Sequence, residues 1–174
     1  MNQAEEDFLV LAAQTGNQQA FNLICRHYYK SLLCYAFKVC NDKEITRDAV
    51  QDAWLKLSRN IQKLEDPRAF RSWLYRLVRW CAIDLMRESN RYKSNEETLN
   101  NEQYFDAGEE NNDESESINL AINRLPSIEK QMIHLFYLEE LKISEIALVL
   151  DIPTGTVKSR LKRARELLRQ KFNS

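Results

Sequence analysis

The chain is short of residues that break helices. Three glycines and three prolines in 174 residues argue against a β-sandwich or barrel, which would need many tight turns. There are only two histidines, His27 and His134. Neither forms a metal-spaced cluster with the four cysteines, Cys25, Cys34, Cys40 and Cys81. No CxxC pair occurs, so the cysteines read as the reduced thiols usual in cytosolic proteins rather than as a zinc site or redox couple. There is no glycine-rich phosphate loop. No run of about 18 uncharged apolar residues is present, which argues against a membrane-spanning helix. Met1 to Ala13 is acidic and amphipathic and lacks the basic start and apolar core of a signal peptide. A cytoplasmic protein without membrane insertion is expected.

What is present is strongly segregated. The formal net charge is −1, but it is unevenly laid out. Residues 1–93 hold 15 Lys and Arg against 11 Asp and Glu, a net +4. Residues 94–116 hold nine acids and no base. Residues 117–174 hold ten bases against six acids, again +4. Two basic modules are thus joined by an acidic strap. The strap, "SNEETLNNEQYFDAGEENNDESE", has too few apolar groups to offset its ordering entropy, so a flexible linker is expected there. The expected organisation is an N-terminal domain over 1–93, a linker over 94–116 and a small C-terminal domain over 117–174.

The apolar spacing is helical throughout, and no convincing strand alternation appears. An all-α fold of two small helical domains follows. In the first module, helices are expected over about Glu5–Gln14, Gln18–Cys40, Thr46–Gln62 and from Pro67 or Arg68 to Asn90. The last carries Phe70, Trp73, Leu74, Leu77, Cys81 and Leu85 as its core stripe. In the second module, short helices are expected near Ser117–Arg124, after a Ser127 N-cap, and over Ile143–Leu150. A final helix runs from about Thr154 to Phe172.

The last two helices flank "DIP", a short turn with Ile152 as its buried plug. That arrangement is a helix-turn-helix. Ile146, Ala147 and Leu150 face inward, as do Val157, Leu161, Ala164 and Leu168. The final helix also carries seven bases between Lys158 and Lys171, with Glu166 the one acid among them. A solvated face ordinarily mixes signs to gain i,i+4 pairs. This face repels itself unless a polyanion neutralises it, and it sits where a major-groove reader sits. Thr154, Gly155 and Thr156 offer free amides to a phosphate at a positive helix end. Thr156, Lys158, Ser159, Lys162 and Arg163 are placed for base edges or nearby phosphates. Arg165, Arg169 and Lys171 lie further along, toward the backbone.

The segment "LPSIEKQMIHLFYLEELKISEIALVLDIPTGTVKSRLKRARELL" resembles the fourth region of the extracytoplasmic-function (ECF) sigma factors, a group of the sigma-70 family. "AFNLICRHYYKSLLCYAFKV", "RDAVQDAWLKL" and "DPRAFRSWLYRLVRWCAIDLMR" resemble, in order, successive parts of that family's second region. The resemblance covers nearly everything but the strap. It implies a protein that binds core RNA polymerase, reads a −35 promoter element as duplex and helps open and read a −10 element. It implies no catalytic chemistry, cofactor or metal. It also implies an anti-sigma partner. By the same resemblance, Asp48, Gln51, Asp52 and Lys56 would meet polymerase, with Trp54 and Leu57 in the core. Lys63 to Arg68 would form the loop that captures a flipped base. A single-strand reader combines cations with flat or apolar surfaces. Lys63, Leu64, Arg68, Arg71, Arg76, Arg79 and Trp80 supply that mixture, while Trp73 reads as core. Arg87, Arg91 and Lys93 extend the basic face toward upstream duplex.

The chain departs from the family at three points. Trp80 stands where many relatives have Asn, Asp151 where Gly is common in the turn, and Lys142 where a capping Ser or Thr is common. Two other readings are set against the sigma reading. A plain helix-turn-helix regulator binding operators would need a ligand domain or dimer interface in place of "RDAVQDAW" and "FRSWLYRLVRW". An enzyme would need a site, and Asp48 and Asp52, although four apart on one helix, have no apparent third ligand.

Overall fold

The structure is a computed structural model that describes residues 1–93 and 120–172. The strap at 94–116, the start of the helix expected near Ser117 and the side chains of Lys93 and Lys171 lie outside the described residues. The chain divides into two compact units, both helical, with no strand among the described residues.

In the first unit, α1 spans Gln3–Gln14, α2 Gln18–Cys40, α3 Lys43–Asn60 and α4 Phe70–Lys93. The starts of α1, α2 and α3 are set by side chains, Asn2, Asn17 and Asp42, that satisfy otherwise orphaned amides. Asn2 and Glu5 form a capping box, so α1 begins two residues before Glu5. The Asp42 carboxylate accepts the Glu44 and Ile45 amides at 2.9 and 3.0 Å. This moves the start of α3 from the expected Thr46 back to Lys43. Asn41, at φ 52°, ends α2 in the left-handed conformation that asparagine tolerates.

Between α3 and α4 the chain makes two 3₁₀ turns, Ile61–Lys63 and Pro67–Ala69. Hence α3 ends at Asn60 and α4 begins at Phe70 rather than at Pro67 or Arg68. The core is aromatic at its centre. The Tyr35 and Tyr75 rings meet edge-on at 5.2 Å, and Tyr28 packs on Phe70 and Tyr75. Such pairs add roughly 0.5–1.5 kcal/mol beyond the area they bury. The buried stripe of α4 is Phe70, Leu74, Tyr75, Val78, Cys81 and Ala82. The expected core members Trp73, Leu77 and Leu85 are only half-buried. The stripe is rotated because Tyr75, which packs on Tyr28 and Tyr35 of α2, and Val78 take the buried positions instead of Trp73 and Leu77.

In the second unit, α5 is described over residues 120–123, α6 spans Ser127–Ile133, α7 Ile143–Leu150 and α8 Thr154–Phe172. Pro126, not Ser127, occupies the cap of α6, and the Ser127 hydroxyl instead accepts from Gln131 at 3.1 Å. α6 runs on into a π-turn over His134–Leu138. There, buried His134 and Glu139 approach to 3.1 Å. α7 starts firmly despite Lys142, because the Glu145 carboxylate accepts the Lys142 amide at 2.7 Å. Asp151 takes the left-handed conformation, φ 56°, that the turn requires. Ile146, Val149, Leu150, Val157, Leu161 and Ala164 are buried. Ala147, Ile152 and Leu168 are half-buried, so the plug of the turn is partly open.

Candidate nucleic-acid and polymerase interfaces

On α8 the apolar stripe packs inward, and Lys158, Ser159, Lys162, Arg163, Arg165 and Arg169 are exposed. Thr154 and Gly155 are also exposed, and Thr156 is half-buried. A Cβ added at Gly155 would meet nothing within 4 Å. The fold itself therefore does not demand glycine there, and a phosphate can approach closely. Arg160 is different. Its guanidinium turns back to Glu129, a carboxylate only 3 % exposed, at 3.4 Å. One of the seven bases is thus a structural counter-ion, and the other described ones stand outward. Lys162 reaches only 4.0 Å from Glu166, an exposed pair worth little.

The loop between α3 and α4 closes an open groove of about 640 Å³. Its walls include Lys56, Lys63, Leu64, Asp66, Trp73 and Leu77. With the acids Glu65 and Asp66 on its loop side, this one concavity is lined by two cations, apolar side chains and an indole. That is the mixture an unstacked base and its phosphate need. Trp73, expected in the core, is therefore a wall of the groove. Asp66 shapes the loop: its carboxylate accepts the Arg68 amide at 3.0 Å and the Arg68 guanidinium at 3.0 and 3.1 Å. This lowers the Asp66 pKa and raises that of Arg68. Arg68 is exposed, so a phosphate can compete for it.

Further along α4, the Arg76 guanidinium lies 4.5 Å from the centroid of the Trp80 ring. Trp80 is 46 % exposed. Arg71, Arg76 and Arg79 are half-buried, and Arg87 and Arg91 are exposed. Arg87 stands 3.8 Å from Asp84. The expected −10 residues thus follow the loop and one length of α4.

The four expected polymerase residues separate into two pairs. Asp48 and Gln51 are exposed on α3, in one stripe with Leu55, which is 49 % exposed. Asp52 and Lys56 pair at 2.8 Å on the side facing α4. Their hydrogen bond lowers the Asp52 pKa and raises that of Lys56. The Lys56 amine also reaches the Cys81 sulfur at 3.5 Å. Lys56 is therefore a member of the groove. Leu57 is fully buried, while Trp54 is half-buried and stacks edge-on against Phe21 at 6.2 Å. Leu55 was not expected; its signal is an apolar residue off the α3 core stripe. Burial pushes the thiols of Cys25 and Cys81 up to about 11. Among the described residues, no group of three His, Cys, Asp or Glu is placed to hold a metal. No described helix is long and apolar enough to cross a membrane.

Comparisons with known proteins agree with this layout. The family Sigma-70 region 2 matches residues 24–92, and Sigma-70, region 4 matches residues 115–168. The ECF RNA polymerase sigma-E factor of Haemophilus influenzae is 31 % identical over 98 % of this chain and 96 % of its own length. The RNA polymerase sigma factor SigV of Bacillus subtilis is 30 % identical over 77 % of this chain and 80 % of its own. The fold is similar to that of the sigma factor RpoE in its complex with the anti-sigma factor NepR from Bartonella quintana. That match has a TM-score of 0.75 at 20 % identity and covers 88 % of this chain and 96 % of the other. With both regions matched in order and close to the whole length shared with a sigma-E factor, the chain belongs to the ECF sigma factors of the sigma-70 family.

Proposed function

We infer that this chain binds core RNA polymerase and directs promoter-specific initiation, reading a −35 element with α8 and a −10 element with the α3–α4 loop and α4. The observation that carries this reading is the presence on one unit of an open groove walled by cations, apolar side chains and an indole, together with the cation-stacked, exposed Trp80. A regulator that only grips duplex operators has no use for a single-strand surface. On this reading Thr154, Gly155, Thr156, Lys158, Ser159, Lys162, Arg163 and Arg165 meet the −35 duplex. Lys63, Leu64, Arg68, Arg71, Arg76, Arg79 and Trp80 meet the −10 strand, with Lys56 and Trp73 added from the groove. Arg87 and Arg91 steer upstream duplex.

The chain performs no reaction of its own. Opening is driven by capture of unstacked bases against a loss of roughly a few kcal/mol per step. Each unit makes few contacts, so the isolated protein binds promoters weakly. Holding both units on polymerase supplies the effective concentration. Asp48, Gln51 and Leu55 form the polymerase patch, and an anti-sigma protein that covers it would silence the factor.

The polymerase reading is tested by Asp48→Arg. The position is exposed, so the fold should survive. The variant is expected to lose co-elution with core polymerase while duplex binding by α8 persists. Undiminished co-elution would remove Asp48 from the interface.

A further inference from the structure

Gln14 stands at the C-terminal end of α1, far from both basic faces in sequence. Its side-chain amide donates from Nε2 to the Ile61 carbonyl at 2.9 Å and to the Leu64 carbonyl at 2.6 Å. These carbonyls bracket the 3₁₀ turn that carries Lys63 into the groove. One amide thus uses both of its hydrogens to tie the two ends of that turn. At its first end the turn is also held by buried Ile61, whose amide donates to the Leu57 carbonyl, but its second end has less to hold it. The Leu64 amide reaches the Ile61 carbonyl at a long 3.2 Å, and Asn60 provides no side-chain cap.

The far end of the loop is fixed separately by Asp66 on Arg68. Gln14 is itself anchored, because α1 is pinned to the core. Its buried Glu6 accepts the Tyr28 hydroxyl, and Val10 and Ala13 are buried. A fixed donor on a fixed helix therefore sets the backbone of a loop whose neighbouring residues line the groove.

We propose that Gln14 is a positioning residue for −10 base recognition. It holds the Ile61–Leu64 turn so that Lys63 and Leu64 present one shape to the captured base. The proposal rests on the −10 reading of the groove. Gln14 touches no DNA in this scheme and acts only through the two carbonyls. Without its donors the turn samples other shapes, and discrimination between bases falls before affinity for polymerase does.

The test uses full-length protein reconstituted with core polymerase on a promoter that the wild type initiates. Initiation rates are measured with each of the four bases at every −10 position, for wild type, Gln14→Met and Gln14→Glu. Methionine keeps the length and removes the donors; glutamate keeps the shape and sets a carboxylate against two carbonyls. Both variants are expected to lose about five- to tenfold of the preferred-over-other base ratio, the worth of one to two neutral hydrogen bonds. Core co-elution and −35 duplex binding should stay within about twofold. Full discrimination in both variants overturns the proposal. So does a fall in melting temperature and core affinity with the base ratio intact, because that marks a merely structural role. Equal initiation by the wild type whichever base stands at each −10 position overturns the −10 reading itself and shows in the wild-type arm alone.

Discussion

Trp80 is the residue whose environment says most. An indole nearly half exposed on a helix is costly in water unless something covers it. Here Arg76 packs against the ring at 4.5 Å, and on the proposed reading the exposed part of the indole takes a base. Base–aromatic stacking is worth roughly 1–3 kcal/mol, so Trp80→Ala should cut promoter opening by about tenfold or more. Permanganate reactivity of −10 thymines reads this directly; unchanged reactivity would make the indole a bystander. Glu6 behaves differently. Burial raises its carboxyl above the ordinary 4.5, opposed by the Tyr28 hydroxyl and Arg71. The folded state thus favours the protonated form. The stability this contributes is complete below the unfolded pKa and is lost as pH rises through the raised folded one. Thermal unfolding of the wild type should weaken from about pH 4.5 toward neutrality, while Glu6→Gln, uncharged throughout, loses that dependence. Parallel pH profiles would contradict the assignment. The two environments differ in how legible they were in the sequence. Trp80 was expected among the −10 residues and its partner Arg76 is only four residues away on α4, whereas Glu6 was read only as one acid in an acidic helix, because its burial is set by Tyr28 and other partners distant along the chain.

At the scale of elements, the regular helices were readable and their junctions were not. The 3.6-residue period placed α2 at Gln18–Cys40 as expected, and it located the buried stripe of α8. The starts of α1 and α3 were misplaced because side-chain caps at Asn2 and Asp42 override the apolar pattern. The loop before α4 holds two 3₁₀ turns that periodicity does not see, and these turn Trp73 from core into groove wall. The bases of α8 were read as one face, but helix geometry sets Arg160 on the opposite flank of the apolar stripe, within reach of Glu129. That difference is measurable. Arg160→Ala leaves a buried carboxylate without its cation and should cost about 1–3 kcal/mol of stability, with the salt dependence of DNA binding unchanged. Lys162→Ala should leave stability within about 0.5 kcal/mol and lower the salt slope by about one. Thermal unfolding and duplex binding across salt concentrations separate the two. A slope change in the Arg160 variant matching that of Lys162 would return Arg160 to the DNA face.

At the scale of the whole molecule, the division of labour was written in the charge layout: two basic units and an acidic stretch between them. Within the first unit, the resemblance grouped Asp48, Gln51, Asp52 and Lys56 as one polymerase surface and gave the following loop and α4 to DNA. In the structure those four part company: Asp48 and Gln51 share an exposed stripe with Leu55, while Lys56 pairs with Asp52 and lines the groove that, on the proposed reading, serves DNA. The most direct test of the central claim is multi-round transcription by core polymerase on a promoter pool, with and without this chain. The account predicts new transcripts that start downstream of a shared −35 and −10 pair only when the chain is present. No new transcripts, together with no co-elution of folded protein with core polymerase, would contradict it and favour a regulator that binds operators alone.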